Sequence, residues 1–237
     1  MKTIVIPDIH NKVEWIEPFL KKQKYDEVVF VGDYFDSWHD GPADVRHTAE
    51  WLRESLKYPN REHIVGNHDV PYLIPNTVYE YVCPGWHEDK HKAVNKVLRK
   101  PDWNKLVPAY LTQGWLISHA GFSFNLVAHP IKGIPTAAEL IALAEREFER
   151  VRIGQVSPLF ASGKRMGHLN TGGITWAHWD DELIPIVGIP QMVGHSETDR
   201  VRSRRITKDQ TDWCIDCYCK QVTIITDGIV SFQDTGI

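Results

Sequence analysis

Short segments rich in Val and Ile alternate along this chain with segments of helical periodicity. Residues 2–7 and 28–31 are typical of buried strands, and the apolar side chains of residues 13–20 fall on one face of a helix between them. A third strand is predicted at residues 63–65, after a second helical segment. This order of elements favours an α/β domain in which the strands are largely buried.

Later parts of the chain continue the same alternation. Apolar runs at residues 114–118 and 189–193 predict two more strands. A capping box at residues 136–139 marks the start of a long amphipathic helix. Residues 70–113 contain a helical pattern and are expected to form a helical insert over the sheet edge near the active site. The Gly-rich residues 162–173 are expected to form a mobile loop.

The length and composition fit one domain over residues 1–237. The chain is 42% hydrophobic and has a formal net charge of -4, which gives no global attraction for nucleic acid or anionic membranes. Its first residues reach Asp8 after a very short apolar run, so they predict neither a signal peptide nor a membrane span. We therefore expect a cytoplasmic protein without a membrane partner.

Polar runs containing Asp, His and Asn follow the strand-like segments. They are Asp8-Ile9-His10, Gly32-Asp33-Tyr34-Phe35-Asp36, Gly66-Asn67-His68-Asp69, His119-Ala120-Gly121 and Gly194-His195. In an open α/β sheet, the loops at the carboxyl ends of the strands can direct side chains into a common crevice. Oxygen and imidazole ligands of these types suit Mn, Fe and Zn. The ordered set therefore predicts a two-metal phosphoesterase site.

Each of these residues also has a purely structural interpretation. Asp8 and Asp36 could cap a turn or a helix, and Asn67 could serve a tight Gly-Asn turn. His119 could be a hydrogen-bonded histidine at a strand end. However, turn chemistry gives no reason for histidine at both late positions, His119 and His195. Taken together, the residues favour metal ligands.

The runs, their order and their strand contexts resemble the calcineurin-like metallophosphoesterase superfamily, and most closely its Ser/Thr phosphoprotein phosphatase branch. Many phosphodiesterases of the superfamily have a Gly-His-x-His run, whereas here Glu197 stands where the second histidine would be. The resemblance implies an αββα sandwich with two mixed β-sheets flanked by helices. It also implies a phosphoester hydrolase that acts by attack of a hydroxide bridging two divalent metal ions.

The resemblance implies two ligands for the first metal, one bridging ligand and three ligands for the second metal. These are Asp8 and His10, then Asp33, then Asn67, His119 and His195. A carboxylate between two cations offsets their repulsion and holds them roughly 3.5 to 4 Å apart. Mn is the favoured metal, with Fe, Zn or Co as alternatives, because the ligand set accepts each of them.

Two further residues are implied to act on the leaving group. His68 would protonate the leaving oxygen, and Asp36 would accept a hydrogen bond from the imidazole. Two positions depart from the phosphatase branch, which carries phosphate-clamping arginines there: Ser37 follows Asp36, and His178 comes two residues after Trp176. The loss of these guanidinium groups leaves room for diester substrates or for a substitute cation.

Three residues could contact the substrate: Arg165 and Arg200, in place of these arginines, and His39. Arg165 lies in the Gly-rich segment, and His39 lies beside the second polar run. Arg200 begins the basic run of residues 200–205, which is expected to be a solvated loop. If the run is instead a strand, alternate arginines would share a face and could attract a phosphorylated partner or nucleic acid.

Three functions stay open at this point. The first is a phosphatase acting on phosphoprotein or small phosphorylated compounds. The second is a phosphodiesterase acting on nucleotide or nucleic-acid diesters, and the third is a non-catalytic metal-binding scaffold. The presence of both His68 and Asp36 argues against the scaffold, because a scaffold has no need of a leaving-group acid.

Overall fold

The computed structural model of the protein describes residues 1–128, 133–167 and 170–237, apart from the side chain of Arg165. Two five-stranded β-sheets flanked by helices form its framework. The strands are β1 Lys2–Ile6, β2 Glu27–Phe30, β3 Arg61–His63, β4 Ala109–Thr112, β5 Trp115–Ser118, β6 Gln191–Val193, β7 Arg202–Arg205, β8 Thr211–Cys214, β9 Gln221–Thr226 and β10 Ile229–Asp234. The α-helices are α1 Ile16–Leu20, α2 Pro42–Ser55, α3 Val70–Leu73, α4 Glu88–Val97, α5 Lys100–Trp103, α6 Phe124–Val127 and α7 Ala137–Arg152.

Both sheets are mixed. The first has the order β10-β9-β1-β2-β3, with β1, β2 and β3 parallel and β9 and β10 antiparallel to their neighbours. The second has the order β4-β5-β6-β8-β7, in which β5, β6 and β8 are parallel and the edge strands β4 and β7 are antiparallel. The predicted architecture of two mixed sheets flanked by helices is confirmed.

The alternation of side chains along each strand decides how the two sheets pack. Val5 of β1 and Val29 of β2 join Ile117 of β5 and Met192 of β6 in one buried cluster. Since successive residues of a strand point to opposite faces, Ile4 lies on the other face of β1, in the core shared with the helices. Strands buried on both faces are near-continuous apolar runs, which is the pattern read from the sequence.

The helices largely follow their sequence signals. Helix α7 begins after Thr136, whose hydroxyl accepts a hydrogen bond from the Glu139 backbone N at 3.2 Å. The Glu139 carboxylate accepts one from the Thr136 backbone N at 2.8 Å, which completes the predicted capping box. Within the described residues, no helix has the length and apolar character needed to span a membrane.

Residues 70–113 contain α3, α4 and α5, and they end in β4, which pairs with β5 in the second sheet. Helix α4 packs against α2 and thereby lies close to the loop after β2. In the segment 162–173, residues Gly163–Met166 form a short 3-10 helix, so the prediction of a loop is wrong at those positions. Residues 168–169 of that segment lie outside the described residues.

Candidate metal centre

Side chains that follow five strands of the two sheets meet at one end of the fold. Asp8 follows β1, Asp33 follows β2 and Asn67 follows β3. In the second sheet, His119 comes directly after β5, and His195 lies two residues beyond β6. All five side chains are buried. The parallel direction of the strands within each sheet therefore brings together residues that are far apart in the sequence.

Two groups of potential metal ligands share one carboxylate. Asp8, His10 and Asp33 each offer an atom within 4.8 Å of the others, and so do Asp33, His119 and His195. Asp33 belongs to both groups, which is the position that a bridging carboxylate requires.

The imidazoles of His10 and His119 are held in one tautomer by backbone carbonyls. Nδ1 of His10 lies 2.6 Å from the Asp36 carbonyl oxygen, and Nδ1 of His119 lies 2.9 Å from that of Val31. Because a carbonyl only accepts hydrogen bonds, each Nδ1 must carry a proton. The Nε2 atoms then face Asp33 Oδ2, at 3.7 Å for His10 and 3.3 Å for His119. With the proton held on Nδ1, the lone pair of Nε2 is available to bind a metal.

The oxygen atoms of Asp8 and Asn67 lie in surroundings that suit bound cations. Asp8 Oδ1 is buried and has no hydrogen-bond partner, and burial together with the charge of Asp216 raises the pKa of Asp8. Asn67 Oδ1 lies 2.9 Å from His119 Nε2, and these two atoms repel unless a cation or an added proton lies beside them. Without one, the amide would rotate and donate from its nitrogen to His119 Nε2 and to Asp33 Oδ2. Bound cations would satisfy Asp8 and Asn67 together.

Protonation of His119 competes with any such cation. Although burial disfavours the charged imidazole, the nearby carboxylates of Asp33 and Asp8 raise the pKa of His119 to about 10. For His10, burial outweighs the attraction of Asp33 and lowers the pKa, so this imidazole is the readier neutral ligand. A metal bound by His119 must therefore displace its proton.

Several residues of the site have backbone conformations that side chains rarely adopt. The φ angles are positive at His10 (46°), Asp33 (49°), Asp36 (61°) and His195 (65°). Such left-handed positions cost of order 1–3 kcal/mol each and persist only where the surrounding structure imposes them. The backbone thus holds these four residues in the site at some cost in stability.

Two glycines of the polar runs are required by close approach. A Cβ atom at Gly194 would lie 2.0 Å from Asp8 Oδ1, and one at Gly66 would lie 2.2 Å from Asp33 Oδ1. Both contacts are too short for any larger residue. The glycine that precedes His195 and the one that precedes Asn67 therefore leave room for the two carboxylates.

Asp69 supports the loops of the site. Its Oδ2 accepts hydrogen bonds from the backbone N of Asp33 at 2.9 Å and of Gly66 at 2.7 Å, and its Oδ1 accepts one from that of Tyr34 at 2.9 Å. These contacts tie the loop after β2 to the loop after β3. The side chain of Asp69 is completely buried.

His68 and Asp36 form a pair beside the ligand groups. His68 Nδ1 lies 3.2 Å from Asp36 Oδ2, and the His68 backbone N donates to Asp33 Oδ1 at 2.8 Å. Burial opposes protonation of His68, but the charge of Asp33 and the hydrogen bond to Asp36 raise its pKa. The imidazole is therefore biased toward the protonated form that a general acid needs.

Two residues that the sequence did not single out complete the surroundings of Asp36. The Tyr72 hydroxyl donates to Asp36 Oδ1 at 2.6 Å, and the Lys90 ammonium donates to the same oxygen at 3.1 Å. Tyr72 is on α3 and Lys90 is on α4, both within residues 70–113. A lysine on an amphipathic helix gives no sequence signal of a buried partner, so only the structure identifies it.

The structure does not bring Arg200 to the ligand groups. Arg200 is exposed and lines an open groove with its neighbours in the basic run, and none of the proposed ligands lines that groove. The run forms β7 from Arg202 onward, so the prediction of a solvated loop is wrong. Arg202 binds Asp180 at 2.7 Å, and Arg204 donates to the Leu183 carbonyl at 2.8 Å, so both arginines hold the protein's own loop.

His39 and Arg165 are the other two residues that were expected to contact the substrate. His39 is exposed, two residues beyond the half-buried Ser37. The side chain of Arg165 lies outside the part of the chain that the structure describes. His178 binds the Asp181 carboxylate through Nδ1 at 2.6 Å. The ring of Trp176, two residues earlier, packs edge-on against His195 with centroids 5.8 Å apart.

Comparison with known proteins decides the family. The model of the family described as calcineurin-like phosphoesterase matches residues 1–195, which is most of the 237-residue chain. The chain belongs to the calcineurin-like phosphoesterase family. As a member, it is a metal-dependent phosphoester hydrolase, and its ligand groups fit that chemistry. No protein with a curated description matches the sequence.

Solved structures support the fold of this calcineurin-like phosphoesterase. A point mutant of a cold-active protein tyrosine phosphatase is 17% identical, with a TM-score of 0.64 over 99% of this chain and 78% of that one. The cold-active protein-tyrosine phosphatase of a psychrophilic Shewanella species is 16% identical, with a TM-score of 0.60 and the same coverage. At this level of sequence identity, the similarity shows that the fold is shared and nothing about activity.

Proposed function

We propose that this calcineurin-like phosphoesterase is a phosphatase that hydrolyses phosphomonoesters of proteins or small compounds at a centre of two divalent metal ions. The observation that carries the proposal is the His68–Asp36 pair, 3.2 Å apart, at the edge of the two ligand groups that share Asp33. A proton donor beside a metal centre is what cleavage of a phosphoester with a poor leaving group requires.

Each ion has its own set of proposed ligands. Asp8 and His10 would hold the first ion, Asp33 would bridge, and Asn67, His119 and His195 would hold the second, with Mn favoured over Fe, Zn or Co. When bound, the ions would supply charge for the phosphoryl oxygens and lower the pKa of a water between them. The Phe35 and Asp36 carbonyls fix the tautomer of His10, as the Val31 carbonyl does for His119.

The proposed role of His68 is to give a proton to the leaving oxygen. Asp36 accepts the hydrogen bond of Nδ1, so the proton on Nε2 is the one available to the substrate. The His68 backbone N also binds Asp33 Oδ1 at 2.8 Å, which fixes the acid relative to the bridging carboxylate. The distance between acid and metal centre is thus set by the chain itself.

Two observations support monoesters as substrates. Gly194-His195 is followed by Ser196-Glu197 and lacks the second histidine that many phosphodiesterases have. Two solved structures with the same fold are described as protein tyrosine phosphatases. A phosphorylated protein or small molecule is therefore the proposed partner.

One observation favours the second candidate, a phosphodiesterase for nucleotide or nucleic-acid diesters. Ser37 and His178 stand where the phosphatase branch carries phosphate-binding arginines. A diester has one negative charge fewer than a monoester dianion and depends less on a bidentate guanidinium.

Parallel hydrolysis of p-nitrophenyl phosphate and bis-p-nitrophenyl phosphate by the Mn-loaded protein separates these functions. Faster monoester cleavage that is lost in Asp33→Asn supports the phosphatase. Faster diester cleavage moves the assignment to the phosphodiesterase. If the protein hydrolyses neither ester, both proposed functions are contradicted, and the metal-binding scaffold is the alternative that remains.

A further inference from the structure

Lys90 is a buried lysine whose ammonium lies beside Asp36. Its ammonium donates to Asp36 Oδ1 at 3.1 Å, to Asp40 Oδ1 at 2.6 Å and to the Gly85 carbonyl at 2.7 Å. An ammonium has three N–H donors, so these three acceptors use all of them. Lys90 therefore has no donor left for a phosphate and is not a substitute for the missing arginines.

We infer that Lys90 is a positioning residue that orients the leaving-group acid His68 through the carboxylate of Asp36. This inference rests on the proposed function, because it concerns the acid of that reaction. The two oxygens of Asp36 have different partners: Oδ1 accepts from Lys90 and Tyr72, whereas Oδ2 faces His68 Nδ1 at 3.2 Å. With Oδ1 held by two donors, the carboxylate cannot turn away from the imidazole.

The charges around Lys90 support the same role. Asp36 and Asp40 are two carboxylates near one another on the loop after β2, and the ammonium lies between them. Without the cation their repulsion would push the loop apart, and Asp36 has a left-handed backbone with φ of 61° that must be held by its surroundings. Asp40 also accepts a hydrogen bond from Asn11 at 2.8 Å, which joins the loop to the residue after His10.

Lys90 belongs to a part of the chain that is remote in sequence from the loop it contacts. Lys90 lies 54 residues from Asp36 in the sequence, on helix α4, which packs against α2. The helical segment between β3 and β4 therefore supplies the buried ammonium that binds Asp36, the partner of His68. The orientation of His68, and with it the preference among leaving groups, would then depend on how this segment packs against the loop after β2.

The test compares Lys90→Met with Lys92→Met, a matched control on the same helix that loses an exposed lysine paired with Glu88. Lys90→Met removes the positive charge between the carboxylates of Asp36 and Asp40. Lys90→Met/Asp40→Asn therefore serves as a second variant, in which one charge of each sign is removed. Mn-loaded proteins are assayed on p-nitrophenyl phosphate, which has a good leaving group, and on phenyl phosphate, which has a poor one. Bound Mn is counted for each protein.

We expect both Lys90 variants to keep their Mn and to lose roughly 10- to 100-fold in kcat on phenyl phosphate, with less than about a 3-fold loss on p-nitrophenyl phosphate. In the metal-free proteins, the imidazole ¹⁵N resonances of His68 should shift in the Lys90 variants and stay in place in Lys92→Met. A purely structural role would lower both activities by the same factor.

Three results would overturn the inference if the wild type is an active phosphatase. They are equal losses of activity on the two esters, no loss on either ester, and His68 resonances that do not shift in the Lys90 variants. If the wild-type protein hydrolyses neither ester, the proposed function fails instead. The resonances of His68 then decide by themselves whether Lys90 orients that imidazole.

Discussion

Asp69 Oδ2 accepts a hydrogen bond from the Asp33 backbone N at 2.9 Å, across 36 residues of sequence. The same carboxylate also accepts from the backbone N of Gly66 and of Tyr34. One buried side chain thus connects the loop that carries Asp33 with the loop that carries Asn67 and His68. The arrangement of the candidate metal ligands on these loops depends on this connection.

Replacement of Asp69 by Asn should therefore destabilise the protein. An amide offers one acceptor oxygen and turns its NH₂ toward a backbone donor, so at least one buried N–H loses its partner, at a cost of about 1–3 kcal/mol. Urea unfolding of the metal-free protein measures the change. Asp209→Asn, at an exposed aspartate, is the control, and equal stability of the two variants would contradict the role of Asp69.

Asp33→Asn should impair both metal sites, because Asp33 belongs to both ligand groups. We expect less than one Mn per chain and a loss of turnover on the order of 10²–10³-fold or more. His119→Asn, which touches one group, should keep the ion held by Asp8 and His10. Metal analysis after dialysis distinguishes the variants, and two ions retained in Asp33→Asn would exclude a bridging role.

His68→Ala should keep both ions and lose activity mainly on esters with poor leaving groups. General acid catalysis contributes roughly 10²–10⁴-fold, and this contribution is needed least when the leaving oxygen is already a weak base. Rates on phenyl phosphate and p-nitrophenyl phosphate measure the difference. The assigned role would be wrong if His68→Ala slowed both reactions by the same factor.

His63 should make the free energy of unfolding depend on pH. Its Nδ1 lies 3.0 Å from the Tyr34 hydroxyl and its Nε2 lies 3.0 Å from Ser55 Oγ, and its ring stacks on Phe30. Burial lowers the pKa of His63 to about 3, whereas the pKa of an unfolded histidine is about 6.5. Below pH 6.5 the unfolded state binds more protons, so the stability due to neutral His63 is present above that pH and declines as the pH falls toward 3.

The decline should approach roughly 1.4 kcal/mol per pH unit inside that window. Denaturant unfolding of the metal-free protein between pH 7 and pH 4 measures the slope. His63→Gln should give a shallower slope than the wild type, while His47→Gln, at an exposed histidine, should leave it unchanged. An unaltered slope in His63→Gln would show that other groups govern the acid dependence.

Much of the fold, and the residue types of the candidate metal centre, were predictable from local patterns. The apolar segments before Asp8, Asp33 and His119 end where strands end, because alternating buried residues and polar breaks are properties of neighbouring positions. The capping box at Thr136 is likewise a local signal, and the structure contains it. The prediction of a loop for the basic run was wrong, since charge alone does not reveal that Arg202 and Arg204 bind carbonyls and a carboxylate of the neighbouring loop.

The sequence by itself determined the order of strands and helices and the residue types at the strand ends, and with these the family and the metal-dependent chemistry. Only the tertiary structure decided that Lys90 and Tyr72 hold one oxygen of Asp36 while His68 faces the other. It also decided that Asp69 binds the backbone of Asp33 rather than a solvent-exposed partner. The physical reason is that periodicity and capping act between neighbours in the chain, whereas these contacts form only when α3 and α4 pack beside the loop after β2.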